Sequence, residues 1–363
     1  MKKPIYLVAG ARPNFVKLAP LVHELNHHPE FPFQIIHTGQ HYDYAMSEAF
    51  FRTLGIPDPD VNLEVGSGTQ GSQTARILER FEALLIDQKP RAVIVFGDVN
   101  STIGCSLAAV KLGIPVVHVE AGLRSFDRSM PEEINRILTD AISDLLFVSE
   151  LSGVINLVNE GADREKIYLV GNIMIDTLEM MLPTVNESHA LERLGLKPGD
   201  YALLTMHRPS NVDQPETLRP LLDLFTRLAE QVPIVFPAHP RTQKQMEAAG
   251  FHNPLPERLR IIDPLDYLDT LAMQKDARMV LTDSGGMQEE TTYLNVPCLT
   301  MRENTERPIT VTEGTSELVG NDVNRIQNAF DRVLTGQWKK ANPIPYWDGH
   351  TAARIFQVLV KNL

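Results

Sequence analysis

Residues 5–17 read IYLVAGARPNFVK, an apolar strand that runs through a short turn into a helix opened by proline. Pro13 has the fixed φ of a first helical residue and lacks only an N–H that the helix would leave unpaired. Arg12 therefore stands at the carboxyl end of a strand, where α/β folds bind ligands. Its guanidinium suits a phosphate or pyrophosphate, and Lys17 adds a point charge one turn later. The alternative is a loop arginine that contacts only water.

The same strand-then-helix pattern recurs along the chain and predicts an α/β fold with parallel sheets covered on both faces. In the first half the predicted strands are Ile5–Ala9, Gln34–Thr38, Ala92–Phe96, Val116–Val119, Leu145–Val148 and Ile167–Val170. In the second half they are Ala202–Met206, Ile234–Pro237, Arg260–Ile262, Met279–Thr282 and Cys298–Met301. A stretch rich in turn-forming residues, 183–199, separates the two series. We therefore expect two doubly wound domains facing one another, with a last amphipathic helix at about 350–361 that can pack on either.

The composition of the chain argues against several classes of protein. The 363 residues carry 34 Lys and Arg against 46 Asp and Glu, a formal charge of -12, which argues against sequence-independent binding of nucleic acid. With 43% hydrophobic and 22% charged residues, the chain is of the globular rather than the disordered or membrane class. Cys105 and Cys298 stand far apart and form no disulfide or metal-binding pattern. We expect a cytoplasmic protein that has no membrane span.

Carboxylates follow the central strands of the first half. Asp98 comes directly after Ala92–Phe96, Glu120 follows Val116–Val119, and Glu132 opens a helix together with its neighbour Glu133. Like charges that converge at one sheet edge raise one another's pKa values, which suits proton transfer. The structural alternatives are a helix cap at Asp98 and the ion pairs Glu120–Arg124 and Glu132–Arg136.

In the second half of the chain, a histidine and a predicted anion-binding site follow the ends of two strands. His207 follows Ala202–Met206 and can stabilise charge or shuttle a proton, the alternative being a loop histidine bonded to backbone. The strand Met279–Thr282 leads into Ser284, Gly285 and Gly286 at the start of a helix, where unpaired N–H groups bind anions such as nucleotide phosphates. Further groups suited to a nucleotide follow: Glu290 for ribose hydroxyls, and Arg302 and Arg307 for phosphates, unless one of these arginines pairs with Glu303 or Glu306.

Three short patterns indicate other chemistry. Residues 23–27, HELNH, fit the zinc-protease pattern, but the apolar stripe of their helix leaves both histidines on the solvated face. Residues 66–71, GSGTQG, fit a dinucleotide fingerprint, but the preceding strand is short and half polar. Asp58 and Asp60 resemble a metal-binding acidic pair, but the prolines around them are typical of a turn.

Taken together, the motifs resemble one family over nearly the whole chain. The blocks are GARP at 10–13 with Lys17, FGD at 96–98, HVEAGLR at 118–124, PEEINR at 131–136, HRP at 207–209, TDSGGMQEE at 282–290 and residues 302–308. In this order they resemble the non-hydrolysing UDP-N-acetylglucosamine 2-epimerases. The resemblance implies a GT-B architecture of two Rossmann-like domains across a cleft: residues 1–171 completed by 348–363, where the final helix crosses back, and residues 172–347. It also implies a homodimer and a role in polysaccharide biosynthesis.

The resemblance implies interconversion of UDP-GlcNAc and UDP-ManNAc at C2, with no metal and no nicotinamide cofactor. UDP is eliminated to leave 2-acetamidoglucal and adds back with protonation on the other face. The implied catalytic residues are Asp98, Glu120, Glu132 and His207, and which carboxylate takes which proton stays open. The implied substrate ligands are Arg12, Ser284, Gly285, Gly286 and Arg307 for the diphosphate, Glu290 for the ribose, and Lys17 beside Asp98 or the phosphate.

Many members of the family also bind a second UDP-GlcNAc as an activator. Gln40, Arg76, Arg208 and His239 match the positions expected to hold it. The sequence departs from the family at Tyr42 and Asp43, where a glutamine is common, and after Pro264, where Leu265, Asp266 and Thr270 replace residues near the uracil.

Other functions stay open. The Ala-Arg-Pro-Asn opening at 11–14 resembles relatives that act on UDP-2,3-diacetamido-glucuronate, which makes this sugar nucleotide the first alternative substrate. A GT-B glycosyltransferase shares the expected fold and nucleotide seat. A hydrolysing epimerase would release free ManNAc, and a sugar-nucleotide sensor would bind without exchanging the C2 proton.

Overall fold

The computed structural model describes residues 3–40, 50–251 and 256–363, so Tyr42 and Asp43 lie outside the described residues. Its strands are β1 (Ile5–Ala9), β2 (Phe33–His37), β3 (Val61–Asn62), β4 (Ala92–Phe96), β5 (Val116–Ala121), β6 (Leu145–Val148), β7 (Ile167–Leu169), β8 (Ala202–Thr205), β9 (Ile234–Pro237), β10 (Leu259–Ile262), β11 (Met279–Thr282), β12 (Cys298–Thr300) and β13 (Ser316–Leu318).

Helices alternate with these strands along the chain. They are α1 (Arg12–Asn26), α2 (Gln70–Asp87), α3 (Asn100–Lys111), α4 (Pro131–Ile142), α5 (Leu151–Asn159), α6 (Ile173–Asn186), α7 (Ala190–Arg193), α8 (Pro209–Val212), α9 (Pro215–Ala229), α10 (Pro240–Ala248), α11 (Tyr267–Lys275), α12 (Gly285–Tyr293), α13 (Ile309–Thr312), α14 (Val323–Leu334) and α15 (Thr351–Asn362). A 3-10 turn covers Arg164–Lys166, and residues 50–54 are also helical. None of the described helices is long and apolar enough to cross a membrane.

Two parallel sheets form the two cores. The first has the order β3-β2-β1-β4-β5-β6-β7 and the second the order β10-β9-β8-β11-β12-β13. The central strands β1, β4 and β5 are buried along their whole length because helices cover both faces of the sheet, which explains their continuous apolar runs. The prediction of an α/β protein with two doubly wound, Rossmann-like domains is confirmed.

The chain divides into two compact units, residues 1–180 with 345–363 and residues 181–344. In the first unit, the C-terminal helix α15 packs on α1: the rings of His28 and Phe356 stack 3.7 Å apart. The N–H of Ala352, in the first turn of α15, donates to Asp176 Oδ2 at 2.7 Å. The division at 180–181 falls inside α6, nine residues after the boundary predicted from the sequence.

Several strand ends differ from the prediction by one residue, and three differences are larger. α6 continues through Pro183 to Asn186, because Val185 beyond the proline is buried. β5 extends two residues further, to Ala121, through an irregularity at Glu120. The short strand β13 was not predicted, since its sequence Ser-Glu-Leu is half polar and only three residues long.

Candidate functional site

Glu120 stands at a break in the strand pairing of the first unit. The register between β5 and β6 shifts between Val119 and Ala121, and Glu120 has a φ of +77°. A residue with a side chain rarely adopts this left-handed backbone, and such strain collects at functional sites. The bulge turns the buried carboxylate toward α1, where Glu120 Oε2 lies 2.5 Å from Lys17 Nζ.

Gly97 makes room for this ion pair. A Cβ at Gly97 would lie 2.9 Å from Lys17 Nζ and 3.9 Å from Glu120 Oε1, and the residue has a φ of +64°. Any larger side chain would therefore displace the lysine. Lys17 thus pairs with Glu120, whereas the resemblance placed it beside Asp98 or the phosphate. The alternative pair Glu120–Arg124 is wrong, because Arg124 is bound elsewhere in the core.

Asp98 is held by Arg136, a cation that it shares with Glu133. Arg136 Nη2 donates to Asp98 Oδ2, and the amide of Asn135 donates to the backbone carbonyl of Asp98 at 2.9 Å. Helix α3 begins at Asn100 with Val99 as its N-cap residue, so the interpretation of Asp98 as a helix cap is wrong. Two carboxylates, each with a basic partner, therefore stand at the ends of the adjacent strands β4 and β5.

The neighbouring residues Glu132 and Glu133 differ completely in their surroundings. Glu133 is buried, pairs with Arg136, and accepts hydrogen bonds from the N–H groups of Ser125 and Phe126. Burial opposes its ionisation, but these donors hold the pKa of Glu133 below its usual range. The side chain of Glu132 is half-buried and makes no hydrogen bond or ion pair within the described ranges, so the structural alternative of a pair with Arg136 is wrong. Glu132 is thus the member of the pair that can reach a ligand.

Arg12 is exposed at the first position of α1. The turn before it is fixed by Asn14, whose Oδ1 accepts from the N–H groups of Gly10 and Ala11 at 3.2 and 3.1 Å. The Nδ2 of Asn14 donates to the carbonyl of Phe96 at 2.9 Å and thereby ties the turn to the end of β4. The guanidinium of Arg12 therefore starts from a rigid turn at the ligand-binding edge of the sheet.

In the second unit, a buried carboxylate holds His207. Asp283 Oδ1 lies 2.9 Å from His207 Nδ1, and Asp283 Oδ2 accepts from the N–H groups of His207 and Arg208 at 3.0 and 2.8 Å. Burial opposes the charge on Asp283, but these donors lower its pKa below the usual range. The imidazole of His207 is 59% exposed, so the ring is anchored at one nitrogen and open to solvent at the other.

Ser284 is the N-cap residue of α12, but its side chain does not cap the helix. The backbone N–H of Ser284 is engaged by Thr282 Oγ1 at 3.0 Å, and in the described part of the chain its hydroxyl has no partner. Gly285 is enclosed, because a Cβ there would lie 2.7 Å from Arg307 Nη1 and 2.8 Å from Glu306 Oε1. The predicted anion-binding site is therefore a helix N-terminus with the hydroxyl of Ser284 available and the guanidinium of Arg307 beside it.

Arg307, predicted to bind the diphosphate, is buried in an ion-pair cluster. Its Nε lies 2.8 Å from Glu289 Oε2, and its Nη1 donates to Glu306. Glu306 also accepts from Arg302 Nη2 at 2.6 Å. Both arginines thus share Glu306, while Glu303 pairs with Arg325. The carboxylates fix the guanidinium of Arg307 beside the first turn of α12.

Glu290, the predicted ribose ligand, is buried behind this cluster. Burial, with the nearby charge of Glu289, raises the pKa of Glu290 to about 7, although the hydroxyl of Tyr267 opposes the rise. The hydroxyl of Tyr267 lies 3.4 Å from Glu290 Oε1, and burial raises the pKa of this phenol well above its usual value.

The raised pKa of Glu290 predicts a pH-dependent stability. Below pH 4.5 both folded and unfolded chains hold the proton, so the contribution is complete; it is lost as pH rises toward 7, because only the unfolded chain releases the proton. The shift from 4.5 to about 7 corresponds to about 3 kcal/mol. Between pH 5 and pH 8 we expect urea unfolding to show that Glu290→Gln becomes more stable than the unsubstituted protein by about 2–3 kcal/mol, most of this contribution. An equal difference at both pH values would contradict the assignment.

The four residues matched to an activator site divide between the units. In the first unit, Gln40 Oε1 accepts from the hydroxyl of Ser101 at 2.8 Å, and Arg76 Nη2 donates to the carbonyl of Ser67 at 2.8 Å. In the second, Arg208 Nε donates to the carbonyl of Asp283 at 3.0 Å, and the exposed His239 caps α10. The activator function of these residues stays a prediction.

The chain matches the model of one known protein family. The family model described as UDP-N-acetylglucosamine 2-epimerase matches residues 23–360. The chain belongs to the UDP-N-acetylglucosamine 2-epimerase family. Members of this family are isomerases, so the enzyme class predicted from the sequence is confirmed.

The relatives of this chain include enzymes that are named for two different substrates. A UDP-N-acetylglucosamine 2-epimerase of Methanocaldococcus jannaschii is 41% identical over 362 residues, covering 97% of this chain and 98% of that protein. A UDP-2,3-diacetamido-2,3-dideoxy-D-glucuronate 2-epimerase of Pseudomonas aeruginosa is 39% identical, covering 98% and 99%. The solved Methanocaldococcus jannaschii UDP-GlcNAc 2-epimerase, in complex with UDP-GlcNAc and UDP, has a TM-score of 0.91, 40% identity and full coverage of both chains.

In each of the three motifs that indicated other chemistry, a residue makes a structural contact. His23 Nε2 binds the carbonyl of Leu54 at 2.9 Å, so one of the two zinc-protease histidines serves the packing of α1. The space beside Gly68 is filled by Arg76, whose Nη2 would lie 2.5 Å from a Cβ at that glycine. Asp60 Oδ2 accepts from the N–H of Ile35 at 2.7 Å and links the start of β3 to β2.

The sequence did not predict the function of three residues that contact the site, although all three lie inside the motifs that resemble the family. Arg136 binds Asp98, Asp283 holds His207, and Glu289 binds Arg307. Each acts through another residue of the site. For Arg136 a signal was present, because it lies four residues after Glu132, a helical spacing from a predicted site residue.

Proposed function

We propose that the enzyme interconverts UDP-GlcNAc and UDP-ManNAc at C2 without hydrolysing the sugar nucleotide. The observation that carries this proposal is the pairing of Glu120 with Lys17 and of Asp98 with Arg136 at the ends of adjacent strands. Membership of the family supports the reaction class, and the solved relative that holds UDP-GlcNAc and UDP supports the substrate class.

In the proposed reaction, a carboxylate removes the C2 proton while the C1–O bond to UDP breaks, which leaves 2-acetamidoglucal and UDP. UDP then adds back to C1 as a proton is delivered to the opposite face of C2. The C2 proton is not acidic, so catalysis depends on a positioned base and on stabilisation of the leaving diphosphate. Asp98, Glu120 and Glu132 are the proposed acid and base groups of the first unit.

The second unit supplies the proposed nucleotide ligands. Ser284, Gly285 and Arg307 contribute a helix N-terminus, an open hydroxyl and a fixed guanidinium, which together suit a diphosphate. His207, anchored by Asp283, is proposed to face the charge that develops on the departing UDP. The first unit's Arg12 is proposed as a further diphosphate ligand.

Two further parts of the proposal concern assembly and regulation. We infer a homodimer, and a second UDP-GlcNAc that binds near Gln40, Arg76, Arg208 and His239 and activates the enzyme. A sigmoidal dependence of the initial rate on UDP-GlcNAc concentration would support the activator, and a hyperbolic dependence would count against it.

UDP-2,3-diacetamido-glucuronate is the second candidate substrate, because the Pseudomonas aeruginosa enzyme named for it is almost as similar as the UDP-GlcNAc enzymes. Initial rates on both sugar nucleotides, with products separated by chromatography, decide between them. We expect kcat/KM to be at least about tenfold higher for UDP-GlcNAc, a difference of about 1.4 kcal/mol in transition-state binding. The reverse ratio would assign the uronate, free ManNAc would indicate a hydrolysing epimerase, and UDP released only with an acceptor would indicate a transferase.

A further inference from the structure

A buried histidine lies on β5, two residues before Glu120. The side chain of His118 is fully excluded from solvent in a strand that is otherwise mostly apolar. Burying an imidazole costs free energy unless its ring nitrogens are hydrogen-bonded. The partners of His118 therefore show what the residue contributes.

Both ring nitrogens of His118 face oxygen atoms. Nδ1 lies 2.6 Å from Asp140 Oδ1, and Nε2 lies 2.8 Å from the backbone carbonyl oxygen of Gly97. A carbonyl oxygen can only accept, so Nε2 carries a proton and donates it to Gly97. The position of the second ring proton then depends on the state of Asp140.

Asp140 is the ionised partner. Its Oδ2 accepts from the N–H of Gly122 at 3.0 Å and lies 2.7 Å from Nη1 of Arg124. Burial alone would raise the pKa of Asp140, but His118 and Arg124 lower it below the usual range. Glu160 balances the charge of Arg124. Asp140 therefore accepts from His118 Nδ1, and the imidazole donates through both nitrogens.

The two bound backbone groups flank the proposed catalytic carboxylates. The carbonyl that the imidazole binds belongs to Gly97, immediately before Asp98. The N–H that the carboxylate binds belongs to Gly122, two residues after Glu120. Gly97, Glu120 and Gly122 all have positive φ, at +64°, +77° and +80°. Such backbone persists at a non-glycine residue only where its surroundings fix it.

We propose that His118 and Asp140 are positioning residues for Asp98 and Glu120, because their hydrogen bonds clamp the two strand ends that carry these carboxylates. The inference rests on the proposed function of the carboxylates. His118 and Asp140 act only through the backbone at Gly97 and Gly122.

The first test measures the ring protons of His118 directly and needs no activity. Proton–nitrogen NMR of the ligand-free protein should show one histidine with both ring N–H protons protected from exchange with water. These two signals should disappear in His118→Gln. A spectrum in which His118 has a single ring N–H would overturn the double-donor arrangement, whatever the substrate of the enzyme is.

The second test separates positioning from stability. His118→Gln and Asp140→Asn should lower kcat at least about 30-fold, since small misplacements of reacting groups cost about that much, while the KM for UDP-GlcNAc changes less than about threefold. Asp144→Asn is the matched control, because Asp144 Oδ2 accepts from the N–H of Val116 at 3.0 Å at the opposite end of the same strand. The control should lose thermal stability and keep its kcat.

The outcomes are distinguishable. Values of kcat within about threefold of the unsubstituted enzyme in both variants, or an equal loss in Asp144→Asn at equal Tm, would overturn the inference. If a variant does not bind UDP, its fold is lost, and the ring-proton spectrum of the unsubstituted protein decides. If the unsubstituted enzyme binds UDP but does not epimerise UDP-GlcNAc, the proposed function fails, and the spectrum still tests the His118–Asp140 arrangement.

Discussion

Glu120→Gln should lower the turnover of UDP-GlcNAc at least about a hundredfold, the scale of a lost general acid or base. The substitution keeps the size of the side chain but removes its capacity to take a proton and its ion pair with Lys17. Binding of UDP should change less than about threefold, because the proposed ribose and main diphosphate ligands lie in the other unit of the chain. Steady-state rates and calorimetric titration with UDP measure the two quantities.

Glu79→Gln is the matched control for this prediction, since Glu79 is exposed on α2 and has no partner among the described residues. The control should keep the rate of the unsubstituted enzyme. Asp98→Asn should resemble Glu120→Gln, because Asp98 is the second carboxylate at these strand ends that is paired with a cation. Turnover within about threefold of the unsubstituted enzyme in either variant would remove that carboxylate from the proposed mechanism.

Arg307→Met should lower the free energy of unfolding of the second unit by about 3–5 kcal/mol, because it removes a cation that two buried carboxylates share. Glu289 loses its contact at 2.8 Å, while Glu306 keeps Arg302. Binding of UDP should also weaken, since the guanidinium beside Gly285 is lost. Urea unfolding and titration with UDP measure the two effects.

The double variant Glu289→Met with Arg307→Met separates these two effects. Replacing both members of a buried ion pair by apolar side chains costs much less than removing one of them. We therefore expect the double variant to regain most of the lost stability and none of the lost UDP binding. Recovery of UDP binding along with stability would show that Arg307 is only a structural residue.

The sequence predicts the fold well because strands buried in a parallel sheet consist of continuous runs of apolar residues. β1, β4, β6, β9 and β11 have the residues that the sequence indicates. β13 was not predicted because it is short and half polar, and pairing with β12 rather than its own pattern makes it a strand. The same regularity places site residues, because polar residues that follow an apolar run lie at the carboxyl edge of a sheet.

The sequence does not reveal which side chains pair within the site. Glu132 and Glu133 are the same residue type in successive positions, yet only the second is saturated by Arg136 and a loop backbone. The orientation of Glu120 depends on a bulge and a left-handed φ, which no local pattern predicts for glutamate. These are tertiary effects, in which packing overrides the preferences of the local sequence.

Proton NMR of the enzyme with UDP-GlcNAc in D2O observes the proposed epimerisation itself, because it follows the C2 proton and the anomeric signals together. The experiment is run with EDTA and without added nicotinamide, and Glu120→Gln serves as the inactive comparison. We expect UDP-ManNAc to appear with deuterium at C2 and the recovered UDP-GlcNAc also to gain deuterium. Retention of the C2 proton in both sugar nucleotides, by a protein that binds UDP-GlcNAc, would overturn the proposed epimerisation.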